Sequence, residues 1–204
     1  HNPFAMKNAD NADKLFGSVL DNSASKVQTY YKCPFRYFCA GVLLIDMVKW
    51  RTTDAQQRLM AFLDSKNGVV AHHDQTMLNG VFWNDCLMLH PRYDALTPTF
   101  IMSYNNLKAH FGLWDNYYSK KEIKESVKAP AIIHYTSSHI GRPWENNKHP
   151  KAKIYQRYWK DSDWKDAPWG TFKPIYNPVQ RRVYWIYQHV PLWLIRLLSC
   201  KRCK

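Results

Sequence analysis

Apolar positions along this chain alternate between short continuous runs and helix-spaced sets, and polar turns separate them. FGSVLDN, residues 16–22, reads as a strand, and Val42, Leu43, Leu44 and Ile45 form a continuous apolar run of strand length, the pattern of a strand covered on both faces. Met77, Leu78, Val81 and Phe82 recur at helical spacing behind the polar pair Asp74 and Gln75. Ile132 and Ile133 are a β-branched pair that delivers His134 to a strand end, and a Ser/Gly loop follows, closed by Arg142, Pro143 and Trp144. Ser119 with Glu122 spells a capping box, and Pro150 stands at a favourable first-turn position before KAKIYQRYW. The order strand, loop, strand, helix, helix, strand, helix, strand, loop, helix and basic tail predicts an α/β fold.

Composition bounds this picture. A chain of 204 residues with 46% apolar content can bury one sizeable core, and no linker, repeat or low-complexity block divides it. Five cysteines at scattered spacings argue for a reducing compartment rather than a disulfide framework; Cys200 and Cys203 form a CxxC without a second ligand pair. The first residues lack the charged-then-apolar order of a signal peptide.

A net charge of +13 with nine Trp and thirteen Tyr calls for a partner. Lys173, Arg181, Arg182, Arg196, Lys201, Arg202 and Lys204 surround the apolar run VYWIYQHVPLWLIRLL. That run is shorter than the ~20 residues of a transmembrane helix, and Gln188, His189, Pro191 and Arg196 interrupt it. It suits a helix lying in a membrane interface, with Trp185, Trp193, Leu194 and Leu197 inserted and arginines at anionic headgroups; the alternative is an ordinary helix docked on the core. Basic residues interleaved with aromatics are also the footprint of single-strand nucleic-acid platforms.

The candidate chemistry sits at strand ends, where α/β sheets collect ligands. His134 can hold a metal and Arg142 can hold phosphate, and both lie on one loop. Ala40 and Gly41 are small enough for a ligand to approach the backbone, and Asp74 and Gln75 place an anion beside an amide. Taken singly each has a structural reading: a histidine after an apolar strand is commonly hydrogen-bonded within the fold, and Asp-Gln before a helix is commonly a polar N-terminus.

Order and spacing are more specific. Phe38-Cys39-Ala40-Gly41-Val42, then Asp74-Gln75-Thr76 with Leu78-Asn79, then His134-Tyr135 with Arg142-Pro143-Trp144 resemble the Phe-Asn-Ala-Gly-Val, Asp-Gln-Asp and His-Tyr…Lys-Pro-Trp elements of glycosyltransferase family 8, the retaining enzymes that move a hexose from a nucleotide-sugar. The resemblance continues through Arg92-Tyr93-Asp94, YYSKKEIKESVKAPAIIHY and KHPKAKIYQRYWKDSDW, and covers most of residues 16–166. Cys39 stands where the family has an asparagine near the donor, Thr76 replaces a carboxylate, and Arg142 replaces lysine with the charge kept.

The resemblance implies the C-terminal part of a GT-A type nucleotide-diphospho-sugar transferase fold over residues 1–170, with a basic amphipathic tail over 171–204 that meets an anionic membrane. It implies transfer of glucose or galactose from a UDP-hexose to a saccharide acceptor of a cell-envelope glycan such as lipopolysaccharide, without nucleic acid, on the cytoplasmic face of a bacterial-type inner membrane. His134 is then the metal ligand for Mn²⁺ or Mg²⁺; Cys39, Ala40, Gly41, Ser137, Gly141 and Arg142 bind the donor; Gln75 and Asp74 are catalytic. Ser137 and Gly141 are both candidates for the small residue against the phosphates. The family's Asp-x-Asp is expected outside this chain, since Asp161-Ser162-Asp163 lies between an aromatic helix and Trp164 and reads as a solvated turn. The alternative is a non-catalytic basic and aromatic module that binds membrane or nucleic acid.

Overall fold

The computed structural model describes residues 14–18, 37–111, 113, 117–168, 170 and 176–200. They fall into two compact units, His1–Asp94 with Phe111–Ile132, and Ala95–His110 with Ile133–Lys204.

The first unit is built on a three-stranded sheet. Its central strand β1 (Phe16–Ser18) pairs antiparallel with β2 (Leu44–Ile45) and parallel with β3 (Cys86–Met88). Helices α1 (Met47–Thr52), α2 (Ala55–Ser65) and α3 (His73–Phe82) lie between β2 and β3 in the chain. The Asp46 carboxylate caps α1 by accepting from the Val48 and Lys49 amides. The core gathers Leu15, Phe16, Phe38, Ala55, Leu78 and Phe82, with Phe16 5.3 Å from the Phe82 ring and 5.9 Å from that of Trp50. The helical spacing of Leu78 and Phe82 is therefore the buried stripe of α3.

The run Val42–Ile45 pairs over less than its length. Only Leu44 and Ile45 join the sheet, on an edge, and all four residues are half-buried rather than covered on both faces. The reason is local: the buried Ser18 hydroxyl reaches the carbonyls of Cys39 and Val42, so residues 39–42 turn around that hydroxyl instead of entering a ladder.

The second unit opens on a two-stranded parallel sheet in which β4 (Ala95–Leu96) sets Leu96 opposite His134 of β5 (Ile133–His134). Two helices follow β4, α4 (Thr97–Ile101) and α5 (Tyr104–Phe111). In the first unit, α6 (Lys120–Lys128) begins with the expected reciprocal cap between Ser119 and Glu122, and Glu125 on it meets His90 at 3.3 Å. After β5 come a loop and α7 (Ala152–Lys160), which starts two residues beyond Pro150; Asp161 and Asp163 beyond it are exposed turn residues.

The apolar tail forms two helices where one was expected, α8 (Pro178–His189) and α9 (Leu192–Cys200). Asn177 and Gln180 cap α8 reciprocally, whereas Pro191 ends its continuation. Proline carries no amide hydrogen and pushes the preceding residue to extended geometry, and Val190 has φ −102° and ψ 130°. Cys203 of the CxxC lies outside the described residues.

Candidate functional site

In the first unit, one face of α3 clamps the segment 37–40 at three successive points. The Thr76 hydroxyl meets the Tyr37 hydroxyl at 3.3 Å, the Asn79 amide both accepts from Phe38 N–H at 2.7 Å and donates to Phe38 C=O at 2.8 Å, and Gln75 Oε1 accepts from the Ala40 amide at 3.0 Å. Because a backbone N–H can only donate, the orientation of the Gln75 carboxamide is set, and its NH₂ is left as a donor. Positions 75, 76 and 79 are i, i+1 and i+4, so two of the three lie one above the other on the helix.

This clamp explains two departures from the family pattern. Thr76 is buried to 1% exposure and its hydroxyl also accepts from the His72 amide at 3.0 Å, so the residue that replaces the family's carboxylate ties Tyr37 to the start of α3. Cys39 is buried, and its sulfur accepts from the Gly41 amide at 3.4 Å, closing the turn that presents Ala40 and Gly41. Asp74 is exposed in the first turn of α3, where a carboxylate suits the helix dipole.

In the second unit, His134 ends β5 half-buried, and its carbonyl accepts from the Thr136 amide at 2.8 Å as the chain leaves the strand. The loop beyond it folds back on itself. Gly141 takes φ +76°, a left-handed geometry that suits glycine, and its amide closes a turn on Ser138 C=O at 3.0 Å. Arg142 Nη2 then donates to Ser137 Oγ at 2.8 Å, and the guanidinium lies 5.5 Å from the centre of the Trp144 ring. Ser137 is exposed beside the cation, whereas Gly141 is buried and shapes the backbone.

Three polar atoms of this loop, Thr136 Oγ1, Ser138 Oγ and His139 Nδ1, are buried without a hydrogen-bond partner among the described residues. An unsatisfied buried polar group costs about 1–3 kcal/mol, so each of the three calls for a partner beyond the described residues. His139 also ties the loop to α8: its Nε2 lies 2.7 Å from Gln188 Oε1, and its ring stacks on Tyr184 at 4.9 Å. Burial lowers its pKa. Behind the loop, Tyr135 packs edge-on against Trp144 and His149 and donates to Lys151 C=O at 3.0 Å. His149 accepts from the Lys151 amide on Nδ1 and faces Thr97 Oγ1 through Nε2, and burial pulls its pKa down to about 4.

Gln75 is thus brought to Ala40 within one unit, and Arg142 to Ser137 within the other. Sequence reasoning missed the clamping role of Asn79, the hydroxyl of Ser18 and the His139–Gln188 tie. Asn79 follows Leu78 on the buried stripe, and a polar residue there was a usable signal; Ser18 and Gln188 carried none.

Comparison with known proteins adds a family. Residues 4–148 match the family model described as glycosyl transferase family 8. The chain is 30% identical over 132 residues to general stress protein A of Bacillus subtilis, covering 63% of this chain and 43% of that protein. It is 30% identical over 155 residues to the lipopolysaccharide 1,2-glucosyltransferase of Escherichia coli, covering 76% and 42%. It therefore spans less than half the length of either relative. Among solved structures, the galactosyltransferase LgtC in complex with donor and acceptor sugar analogs superposes with a TM-score of 0.58 at 21% identity, covering 78% of this chain and 57% of that one. The bifunctional WbbM gives a TM-score of 0.55 at 16% identity, covering 75% and 29%.

Proposed function

The chain belongs to glycosyl transferase family 8 and shares the α/β, GT-A type fold of its structural neighbours; on that premise we propose that it forms part of a retaining hexosyltransferase that moves glucose or galactose from a UDP-hexose to a saccharide acceptor of a cell-envelope glycan. The observation that most supports this is the loop after His134, where Arg142 is held on Ser137 at 2.8 Å beside three buried polar atoms with no partner among the described residues. A diphosphate is the ligand whose charge matches the guanidinium and whose oxygens match the hydroxyls.

In this reading the bond from the anomeric carbon to the phosphate oxygen breaks, and its electron pair leaves with the UDP. Arg142 stabilises the charge that develops on the diphosphate. The acceptor hydroxyl attacks from the same face, forms the new glycosidic bond and gives its proton to the departing phosphate oxygen. Gln75 positions rather than attacks: an amide is a poor nucleophile, and its oxygen is engaged by the Ala40 amide. Its NH₂ is left to orient the sugar, while Asp74, exposed at the start of α3, accepts from sugar hydroxyls. Ala40 and Gly41 line the hexose, with Cys39 holding their turn.

His134 suits a divalent ion of the family's kind, Mn²⁺ or Mg²⁺, because it offers an imidazole at a strand end whose backbone is fixed by pairing with β4. Such an ion, when bound, offsets negative charge on the diphosphate as a Lewis acid.

The tail supports peripheral attachment to an anionic membrane on its cytoplasmic face: Trp185, Trp193 and Leu197 are exposed on the segment that carries Arg181, Arg182 and Arg196, while Leu194 is partly covered. No helix among the described residues is long and apolar enough to cross a membrane. Sugar rings also stack on aromatic faces, so the Trp and Tyr content needs no nucleic acid.

The deciding experiment incubates the protein carrying this chain with a panel of UDP-hexoses and oligosaccharide acceptors, with Mn²⁺ and with chelator. Metal-dependent transfer with retained anomeric configuration is the expected result; binding to single-stranded RNA with no donor turnover would replace this reading with the nucleic-acid one.

A further inference from the structure

A cavity of about 660 Å³ lies in the second unit, between the start of α5 and the elbow that joins α8 to α9. Its size is within the range of small-molecule sites, roughly 300–1,000 Å³. The elbow is held firmly. Asn106, 3% exposed, donates its amide to the carbonyls of Tyr187 and Val190, each at 2.7 Å, which ties the end of α8 to the first turn of α5. Val190 in turn donates to Ile186 C=O at 2.8 Å. The elbow side of the cavity is therefore held in place by buried hydrogen bonds.

The lining has one sign of charge. Arg196 and His189 are on the wall, and no carboxylate is among the lining residues. Beside Arg196 and the His189 imidazole stand neutral hydrogen-bonding groups, Ser103, Asn105 and Gln188. Gln188 spends its oxygen on His139, so its NH₂ is left to donate. Trp193, also on the wall, is 67% exposed and presents an aromatic face. A guanidinium selects phosphate or carboxylate, and amides, hydroxyls and an exposed indole select a polyol.

We infer that this cavity binds a phosphorylated polyol: Arg196 pairs with the phosphate, and Asn105, Gln188 and Trp193 contact the hydroxyl-bearing part. The same chemistry is offered by the headgroup of an anionic phospholipid such as phosphatidylglycerol and by a phosphorylated saccharide. This inference goes beyond the proposed transfer reaction and stands whether or not that reading holds.

The test titrates the protein with sn-glycerol 3-phosphate by calorimetry, with glycerol and a hexose 6-phosphate in parallel, and measures co-sedimentation with phosphatidylcholine vesicles with and without phosphatidylglycerol. Saturable binding of glycerol 3-phosphate, with glycerol weaker by about tenfold or more, is expected. Arg196→Ala should weaken it by about tenfold, the weight of one charged hydrogen bond, and Arg196→Lys by less. Arg196 is exposed, so the variants should keep the wild-type circular dichroism. Asn105→Asp, which adds a carboxylate to the wall, should weaken binding as well. If glycerol 3-phosphate and Arg196→Ala also release the protein from phosphatidylglycerol vesicles, the occupant is the lipid headgroup. If vesicle binding ignores both while the hexose 6-phosphate binds in an Arg196-dependent way, it is a phosphorylated saccharide. Absence of saturable binding by either phosphate ester, or affinities indifferent to both Arg196→Ala and Asn105→Asp, overturns the inference.

Discussion

Arg142 is the residue on which most of the proposed chemistry rests, and its surroundings define what a substitution does. Its guanidinium is held by Ser137 at 2.8 Å, while its backbone amide is held separately by the Glu145 carboxylate at 2.8 Å. Truncation of the side chain therefore leaves the turn anchored. Arg142→Ala should lower kcat/KM for donor by about 2–4 kcal/mol of transition-state stabilisation, whereas Arg142→Lys keeps the charge and loses less; equal activity of the alanine and wild-type proteins would remove Arg142 from the site. His149 makes a different prediction. Its pKa is about 4 in the folded protein, below the ordinary 6.5, so between those values the unfolded chain binds the extra proton. Stability should be full above about pH 6.5 and decline toward pH 4, by up to about 3 kcal/mol. Urea melts at pH 7 and pH 4.5 check this, and His149→Gln should flatten the difference.

Two contacts between elements matter more than the elements themselves. The Asn79 side chain joins α3 to Phe38 through two hydrogen bonds in a buried setting. Asn79→Ala should leave both Phe38 groups unpaired and cost about 2–4 kcal/mol, read as a lower denaturation midpoint in urea. A change below about half a kcal/mol would mean that solvent reaches Phe38. The second contact joins the loop after β5 to α8 through His139 and Gln188. Gln188→Leu should untie that loop and raise KM for donor several-fold with a smaller change in kcat. Gln188→Glu, which restores an acceptor, should recover it; a kcat loss without a KM change would place the contact outside donor binding.

At the scale of the whole molecule, the net charge of +13 decides behaviour at a distance. Electrostatic attraction to an anionic surface falls within a Debye length of about 10 Å at 0.1 M salt, whereas the insertion proposed for Trp185, Trp193 and Leu197 is apolar. Binding to anionic vesicles should therefore weaken steeply between low salt and about 0.5 M and retain a salt-resistant remainder. Trp185→Ala with Trp193→Ala should abolish that remainder, and a wholly salt-sensitive wild type would leave the tail as a purely electrostatic anchor.

Much of this was local and so legible in the chain. The helical stripe of Leu78 and Phe82, the reciprocal cap of Ser119 and Glu122, and the turn at Asp161-Ser162-Asp163 depend on neighbours within a few residues, and the structure has them. The motif order that identified the family is likewise carried by sequence alone. Tertiary structure decided the rest. Val42–Ile45 has the composition of a covered strand, yet a hydroxyl 24 residues before Val42 turns the chain there. One apolar tail became two helices, and Pro191 shows where it broke; that the elbow would be pinned by Asn106 could not be read, because that contact spans 81 residues to Tyr187. The same holds for Gln75 on Ala40 and His139 on Gln188. A side chain's hydrogen-bonding capacity is written in its identity, but its partner is chosen by which distant backbone the folded core brings within 3 Å.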